Sequence, residues 1–402
     1  MTKKDIAELK KRFTKKSCTF TKMCGCYVNS EKVKVLNIDE TFLNLEEDDF
    51  YKYLDIAKKV LSGTFGNNIL NLEFKKDENR QDFFWRLDKS LLKDEELLNE
   101  FYDLIIETYE YTGNYLILIF HDSYDIINKD KNNDDLDDSS EVYEYILCAV
   151  CPVELSKAGL GYNEEENKIK SIMRDWVVGM PENGFVFPAF SERSADVNSV
   201  MYYTKTPKSP YYDFMENILT CESKKTAAEE KIAFRSIIED SIPDENAAEN
   251  VFIEVQKSVN YVISEKEVEF ADEDEPVVLT ENDIKDIVQE IDIDDEVKEK
   301  ITDSFTREFG KMPPSANNIL DNKAVETAAQ REHIVRLEKQ VQNLKGRIED
   351  YNQPAKSDEI ILRVSQQKSE LIKTEIIDGR KYILIPVNEN DRIEINNYSA
   401  DI

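Results

Sequence analysis

The stretch that most limits what this chain can become is Asn114–Asp125, NYLILIFHDSYD. From Tyr115 to Phe120 it is an unbroken apolar run of strand length, and it ends on His121 and Asp122. That is the pattern of a central strand covered on both faces. Val142–Glu154, VYEYILCAVCPVE, reads as its partner, and the loop between them, NKDKNNDDLDDSSE, is too charged to be anything but solvated. The expectation is a central hairpin around which the rest of the chain packs.

The flanking segments predict mixed secondary structure. Lys4–Arg12 predicts a short helix with Ile6, Leu9 and Phe13 on one face and lysines on the other. CTFTKMCGCYVN and KVKVLNIDETFL, separated by Asn29-Ser30-Glu31, predict a hairpin. Over Glu47–Leu61 the residues Phe50, Leu54, Ala57, Val60 and Leu61 recur at helical spacing, with Gly63 as the expected left-handed cap. Ser62–Asn68 has glycines but no Gly-Lys-Ser/Thr and follows a helix, so it predicts a cap and turn instead of a phosphate loop. Phe83–Tyr111 predicts one or two helices, the last with Leu97, Leu98, Phe101, Leu104, Ile105 and Tyr109 along one stripe. Ile169–Met180, Gly184–Phe190 and Asn198–Thr204 predict three more strands, and Tyr211–Cys221 and Ala227–Ile238 two helices. Strands and helices grouped in this way define an α+β fold, an antiparallel sheet with packed helices, and not βαβα alternation.

Beyond Ile242 the texture changes. Phe252–Val262 fits a strand or a helix, and EKEVEFADEDEP is a charged connector. Thr280-Glu281-Asn282-Asp283 has the capping-box pattern and opens a helix, and Asp294–Phe309 predicts another. After Pro313-Pro314, Ala324–Tyr351 predicts a long helix in which Ile334, Leu337, Val341, Leu344 and Ile348 form a heptad seam of two full heptads. EIILRV, KTEIID-GRKYILIPV and RIEI predict a small C-terminal β-meander with a type I′ turn at Asp378-Gly379. The expected domains are an N-terminal α+β domain (1–240), an acidic helical region (241–323), and the long helix with the meander (324–402).

Charge is distributed unevenly along this chain. Of a formal net charge of −31, Glu239–Asp303 alone holds 23 acidic and 5 basic residues, a net of −18. The first 22 residues are the opposite: eight cations, Lys3, Lys4, Lys10, Lys11, Arg12, Lys15, Lys16 and Lys22, stand against Asp5 and Glu8. Such a mobile cationic cluster is what phosphate contacts need, since binding releases counterions. A solvated helix face, or a contact to the chain's own acidic segment, accounts for it as well. No run of about 18 apolar residues occurs, and the start MTKKDIAELKKRF lacks the apolar core of a signal peptide. A cytosolic protein with no membrane partner is expected. Six cysteines without framework spacing fit reduced thiols.

Three constellations carry chemistry on paper. Cys24, Cys26, Cys148 and Cys151 supply the donors of a four-thiolate zinc site. On strands, however, 24 and 26 face one way while 148 and 151 face opposite ways, so the second pair would need a turn at Pro152 to chelate. Buried, reduced thiols fit the pattern better, and Pro-Val-Glu replaces the helix that a thioredoxin-like Cys-x-x-Cys requires. His121-Asp122, with Asp125 beyond, resembles an acid–base pair at a strand end, but no nucleophile or second histidine is tied to it by a pattern. Phe185, Phe187, Phe190, Tyr202 and Tyr203, with Arg174 and Arg193 near them, fit a base-stacking face or, more simply, a core. No cofactor is expected.

The motifs CTFTKMCGCYV, ETFLNLEEDDFYKYLDIAKKVLSGTFGNN, LCAVCPV, NGFVFPAFSERSADVNSVMYYT and IDGRKYILIP are similar to those of a bacterial family of domains of unknown function, number 4317 in that series. The resemblance spans nearly the whole chain and brings no ligand residues with it. In the order of its elements the chain also resembles nucleoid-associated proteins of the NdpA type, the matching pieces being Glu47–Leu61, Leu97–His121, Arg174–Val178 and Glu359–Ile395. What that second resemblance implies is a non-enzymatic, nucleic-acid-linked binding role, with contacts from the basic N-terminus. The alternatives are an interaction scaffold, pairing chains through 334–348 and binding a basic protein through the acidic segment, and a cysteine-ligated zinc or redox protein.

Overall fold

Two long strands carry the fold, Asn114–Ile126 and Glu141–Leu155, paired antiparallel from Asn114↔Val153 to Ile126↔Glu141. The computed structural model describes residues 1–76, 79–126, 141–191, 193–269, 277–352, 369–387, 392–395 and 398–401. The acidic loop of the central hairpin, part of the charged connector, and EIILRV lie outside the described residues. The chain divides into two compact units, Met1–Val325 and Glu326–Ile402.

In chain order the first unit opens with α1 (Lys3–Arg12), β1 (Phe20–Val28), β2 (Lys34–Glu40), α2 (Glu47–Val60), β3 (Ile69–Glu73), α3 (Arg80–Lys89) and α4 (Glu95–Thr108). The central strands β4 and β5 follow, then β6 (Leu160–Asn163), β7 (Lys168–Ser171), β8 (Trp176–Val178), β9 (Asn183–Phe187), β10 (Ala189–Ser191), β11 (Ser194–Asp196) and β12 (Ser199–Thr204). Eight of these strands make one sheet, ordered β2-β1-β4-β5-β9-β12-β3, with β8 also on β5. Every pairing in it is antiparallel.

Both faces of this sheet are covered, which is why β4 carries no polar residue between Tyr115 and Phe120. Successive side chains point to opposite sides. Leu116, Leu118 and Phe120 pack with Ile6, Leu9 and Phe13 of the α1 region and with Phe50, Leu54 and Val60 of α2. Ile117 and Ile119 pack with Phe83, Phe84 and Leu87 of α3, Phe101 and Ile105 of α4, and Phe214. A fully buried Leu or Phe contributes about 1.5–3 kcal/mol on leaving water, so these two layers dominate the stability of the sheet. Phe185, Phe187, Phe190, Tyr202 and Tyr203 are all buried in them. Those aromatics are core.

Several local expectations change. Ile169–Met180 is not one strand: β7 pairs with β6 as a separate hairpin and β8 joins β5. Tyr211–Cys221 contains one π-helical turn, Phe214–Ile218. Gly63 has φ +130°, yet the cap of α2 is Leu61; a Cβ on Gly63 would sit 2.4 Å from the Cβ of Asn68. The glycine therefore admits Asn68, whose Oδ1 accepts from the backbone of Thr64.

The helices α5 (Ala227–Ser241), α6 (Glu245–Glu269), α7 (Glu281–Gln289), α8 (Asp295–Phe309) and α9 (Ala316–Ile319) complete the first unit. They bury Phe234, Phe252, Val255, Val259, Ile287 and Phe305, which settles Phe252–Val262 as helix. Asp283 closes the capping box on Thr280. Gln256, fully buried, donates to Ile319 O and accepts from Asp321 N, so both ends of its amide are satisfied. α10 (Asn322–Asn352) begins here and supplies the helix of the second unit. In that unit the meander takes the form of two hairpins, β13 (Lys373–Ile377) with β14 (Arg380–Leu384), and β15 (Arg392–Ile395) with β16 (Tyr398–Asp401). Asp378 and Gly379 hold the positive φ values of a type I′ turn. Among the described residues no helix is long and apolar enough to cross a membrane.

Candidate functional site

The polar end of β4 is where chemistry collects, and the alternation of the strand splits it in two. His121 and Asp122 are both buried but face opposite sides, so they are not an acid–base pair.

On one side His121 meets Thr21 and Asp88. The register of β1 against β4 slips between Phe20 and Lys22, a bulge that re-aims the side chain at Thr21. Its hydroxyl stands 2.7 Å from His121 Nδ1. Asp88, from the last turn of α3, lies wholly buried with Oδ1 3.6 Å from His121 Nε2 and Oδ2 3.4 Å from Lys89 Nζ. Neither carboxylate oxygen nor Nε2 has a hydrogen bond among the described residues. Burial, partly offset by the Lys89 charge, pushes the Asp88 carboxyl up to about 6. Burial likewise lowers the His121 imidazole below its ordinary value, against the pull of Glu144 and Asp122.

The other side is open. Asp122 accepts from Thr19 (2.6 Å) and Tyr145 (2.7 Å), and Arg12 donates to Thr19. The Arg12 guanidinium lies 3.7 Å over the Tyr124 ring, whose hydroxyl donates to Glu8 at 2.7 Å. Arg193, at φ +63° between β10 and β11, reaches Glu8 at 3.4 Å. Lys4, Lys11, Arg12 and Arg193 thus surround a concavity of about 430 Å³ together with Glu8, Tyr124 and Asp125. Four cations against two acids leave it net positive on a chain of −31. Such a pocket can take a phosphate or a carboxylate on its cations, one of which, Arg12, is held in place over the Tyr124 ring.

Local physics explains why the cations are there. Thr2 and Asp5 form a capping box at the start of α1, and Lys10, Lys11 and Arg12 fill its last turn, where cations stabilise the carbonyl end. The eight basic residues do not converge as one patch. Lys3 and Lys10 line a second concavity beside Leu61, Thr64 and Ile69, Lys15 pairs with Glu47 at 2.5 Å, and Lys22 pairs with Asp39. Lys16 is exposed just beyond α1.

The four cysteines are buried free thiols. Cys24, Cys26 and Cys148 share one face of the sheet and Cys151 takes the other. Burial raises the thiols, Cys24 to about 12 and Cys26 to about 11. Among the described residues, no group of three or more His, Cys, Asp or Glu is arranged to hold a metal ion.

Thr21, Asp88 and Tyr124 escaped the sequence reading; Glu8 entered it only as an acid beside the basic cluster, and Arg193 only as a neighbour of aromatics. For Asp88 a signal existed: it falls four residues after Phe84, on the buried stripe of α3. The bulge at Thr21 and the turn at Arg193 left no such mark.

Fold and site together define an α+β protein with a two-sided antiparallel sheet and a cationic pocket at one end of its central strand. The chain belongs to the family described as Domain of unknown function (DUF4317), which it matches over residues 1–397. No curated protein and no solved structure matches it.

Proposed function

We propose that this is a cytosolic, non-catalytic binding protein whose first unit holds the phosphates of a nucleic acid at α1. The observation that carries the reading is the meeting of Lys4, Lys11 and Arg12 with Arg193, about 180 residues away in sequence, around one concavity floored by Tyr124. Cations from two segments converge there, with Arg12 stacked on the Tyr124 ring. The strongly negative remainder of the chain opposes long duplexes, so short single strands are the favoured form. The test is fluorescence anisotropy with a labelled oligonucleotide of about 12 nucleotides, one OB-fold-sized site, at low salt. Wild-type protein binds; Lys4→Glu/Lys11→Glu/Arg193→Glu loses the binding while melting as wild type does. No wild-type binding, or equal binding by the variant, overturns the reading.

A second reading, that chains pair through α10, is favoured by the seam itself. Ile334, Leu337, Val341, Leu344 and Ile348 are 46–59% exposed. Helices of this kind draw most of their stability from a covered apolar face. Sedimentation at micromolar concentration gives a dimer, and Leu337→Glu/Leu344→Glu gives a monomer; a monomeric wild type ends this reading. In such a scaffold the acidic helices of 239–303 face a basic partner.

A further inference from the structure

Between β5 and β9 the chain leaves the sheet and returns, and its apolar side chains on the way are left in water. Ten of them from Leu155 to Met180 are 38–83% exposed, Met173 the most, and none belongs to either core layer. The β6–β7 hairpin puts Leu160, Tyr162 and Ile169 on one of its faces. Its base is tied down: Ser156 N donates to Asp175 O at 2.8 Å, and Arg174 Nε donates to Ser156 O at 2.8 Å. At roughly 150–250 Å² for a large apolar side chain, ten so exposed leave on the order of 1,000 Å² in water, against roughly 300–600 Å² for the largest apolar patch of an ordinary monomer. A stable interface covers about 800 Å² on each partner.

β8 adds an open edge. It follows the line of β9 along β5 past the end of β12, and among the described residues its only ladder is with β5. Asp175 O and Gly179 N both bond to β5, at Ser156 N and Pro152 O. The alternation of an antiparallel ladder therefore turns the N–H and C=O of Trp176 and Val178 outward. All three residues of β8 are exposed, and an open apolar edge of this kind is a template for another strand. Charge and symmetry identify that strand. Residues 156–180 hold four basic and four acidic residues, a net of zero on a chain of −31. A basic protein or an anionic surface selects a charged stretch, whereas two copies of so acidic a chain meet with least repulsion where the charge is nil. The two outward residues flank Val177, so a two-fold axis beside Val177 matches the edge to itself.

We propose that residues 156–180 bind a second copy of this chain by antiparallel pairing of β8 with β8. Trp176 of each copy exchanges both backbone bonds with Val178 of the other, Val177 lies opposite its own copy, and the indole packs on a β-branched neighbour, a favourable cross-strand pair. The apolar side chains of the β6–β7 excursion enlarge the contact. With only three residues of ladder on each copy, and two strongly negative chains repelling one another beyond it, the association is weak, with a Kd of about 100 micromolar. It is separate from pairing through α10.

Sedimentation equilibrium of the full chain carrying Leu337→Glu/Leu344→Glu tests it, because that background removes pairing through α10 and leaves β8 to act alone. The protein is a monomer at micromolar concentration and a dimer at several hundred micromolar, around the Kd of about 100 micromolar. Raising the salt to about 0.5 M tightens the dimer, since it screens like charges; binding of a nucleic acid moves the other way. Adding Trp176→Glu or Val177→Glu weakens the dimer at least about tenfold, as like charges then face each other across the axis. Both side chains are exposed, and an unchanged melting temperature shows that the fold is kept. A protein that stays monomeric at several hundred micromolar, or a dimer indifferent to Trp176→Glu and Val177→Glu, overturns the proposal and leaves the α10 reading standing. Co-sedimentation of the monomer with phosphatidylglycerol vesicles, lost in Trp176→Glu, would put a lipid surface in place of the second copy and overturn it too.

Discussion

α1 and α10 are both amphipathic helices with a legible apolar stripe, and they use it in opposite ways. In α1, Ile6 and Leu9, with Phe13 at its cap, vanish beneath the sheet, Leu9 at 0% exposure, and the cations are left to face solvent and the β4 end. In α10 the five seam residues stay about half exposed. A periodic stripe says that a face wants cover; it does not say what supplies it. The difference makes α1 a fixed platform on which charges can be placed accurately, and leaves the α10 seam about half exposed.

The largest expected effect probes that contrast directly. Leu9→Ala removes a fully buried side chain and lowers stability by about 2–5 kcal/mol in chemical denaturation. Leu337→Ala, measured at nanomolar concentration, changes stability by no more than about 0.5 kcal/mol. Equal losses at the two positions would mean that the α10 seam is covered within the chain.

Asp88 gives the next largest effect. Its folded-state value, about 6 against an ordinary 3.8, is raised, so the buried acid favours folding only while protonated, and that advantage disappears as the pH rises from about 4 through 6. Asp88→Asn therefore stabilises the protein by up to about 3 kcal/mol at pH 8 and by almost nothing at pH 4. A variant less stable than wild type at pH 8 would mean that the charged carboxylate is held by Lys89 and His121 more strongly than burial opposes it. At the small end, Lys15→Ala breaks an exposed pair with Glu47 and leaves the melting temperature unchanged.

How much of this was legible follows from the same physics. β4 and β5 announced themselves, because a strand covered on both faces has no room for polar residues. The capping box at Thr280 was equally plain. β3 was not expected: Ile69–Glu73 is five residues long with Asn71 in the middle, too short and too mixed to stand out. α6 stayed ambiguous because Val, Ile and Tyr suit strands while the Val251, Val255, Val259 spacing suits a helix; tertiary packing decided. At the site, the basic N-terminus was visible, but its division between two concavities and two surface ion pairs was not. Convergence is a property of the fold, and Arg193 joins Lys4 and Lys11 only because β10 and β11 turn back toward α1.

The salt dependence of nucleic-acid binding tests the central claim most directly. If the α1 pocket holds about three to four phosphates, log K falls against log salt with a slope of about −2 to −3 for a single strand. Replacing Lys11 or Arg193 by Ala makes the slope shallower by about 0.7 each, whereas replacing Lys15 or Lys22, which lie outside that concavity, leaves it unchanged. A slope that responds to Lys15 and Lys22 but not to Lys11 and Arg193 would contradict the account.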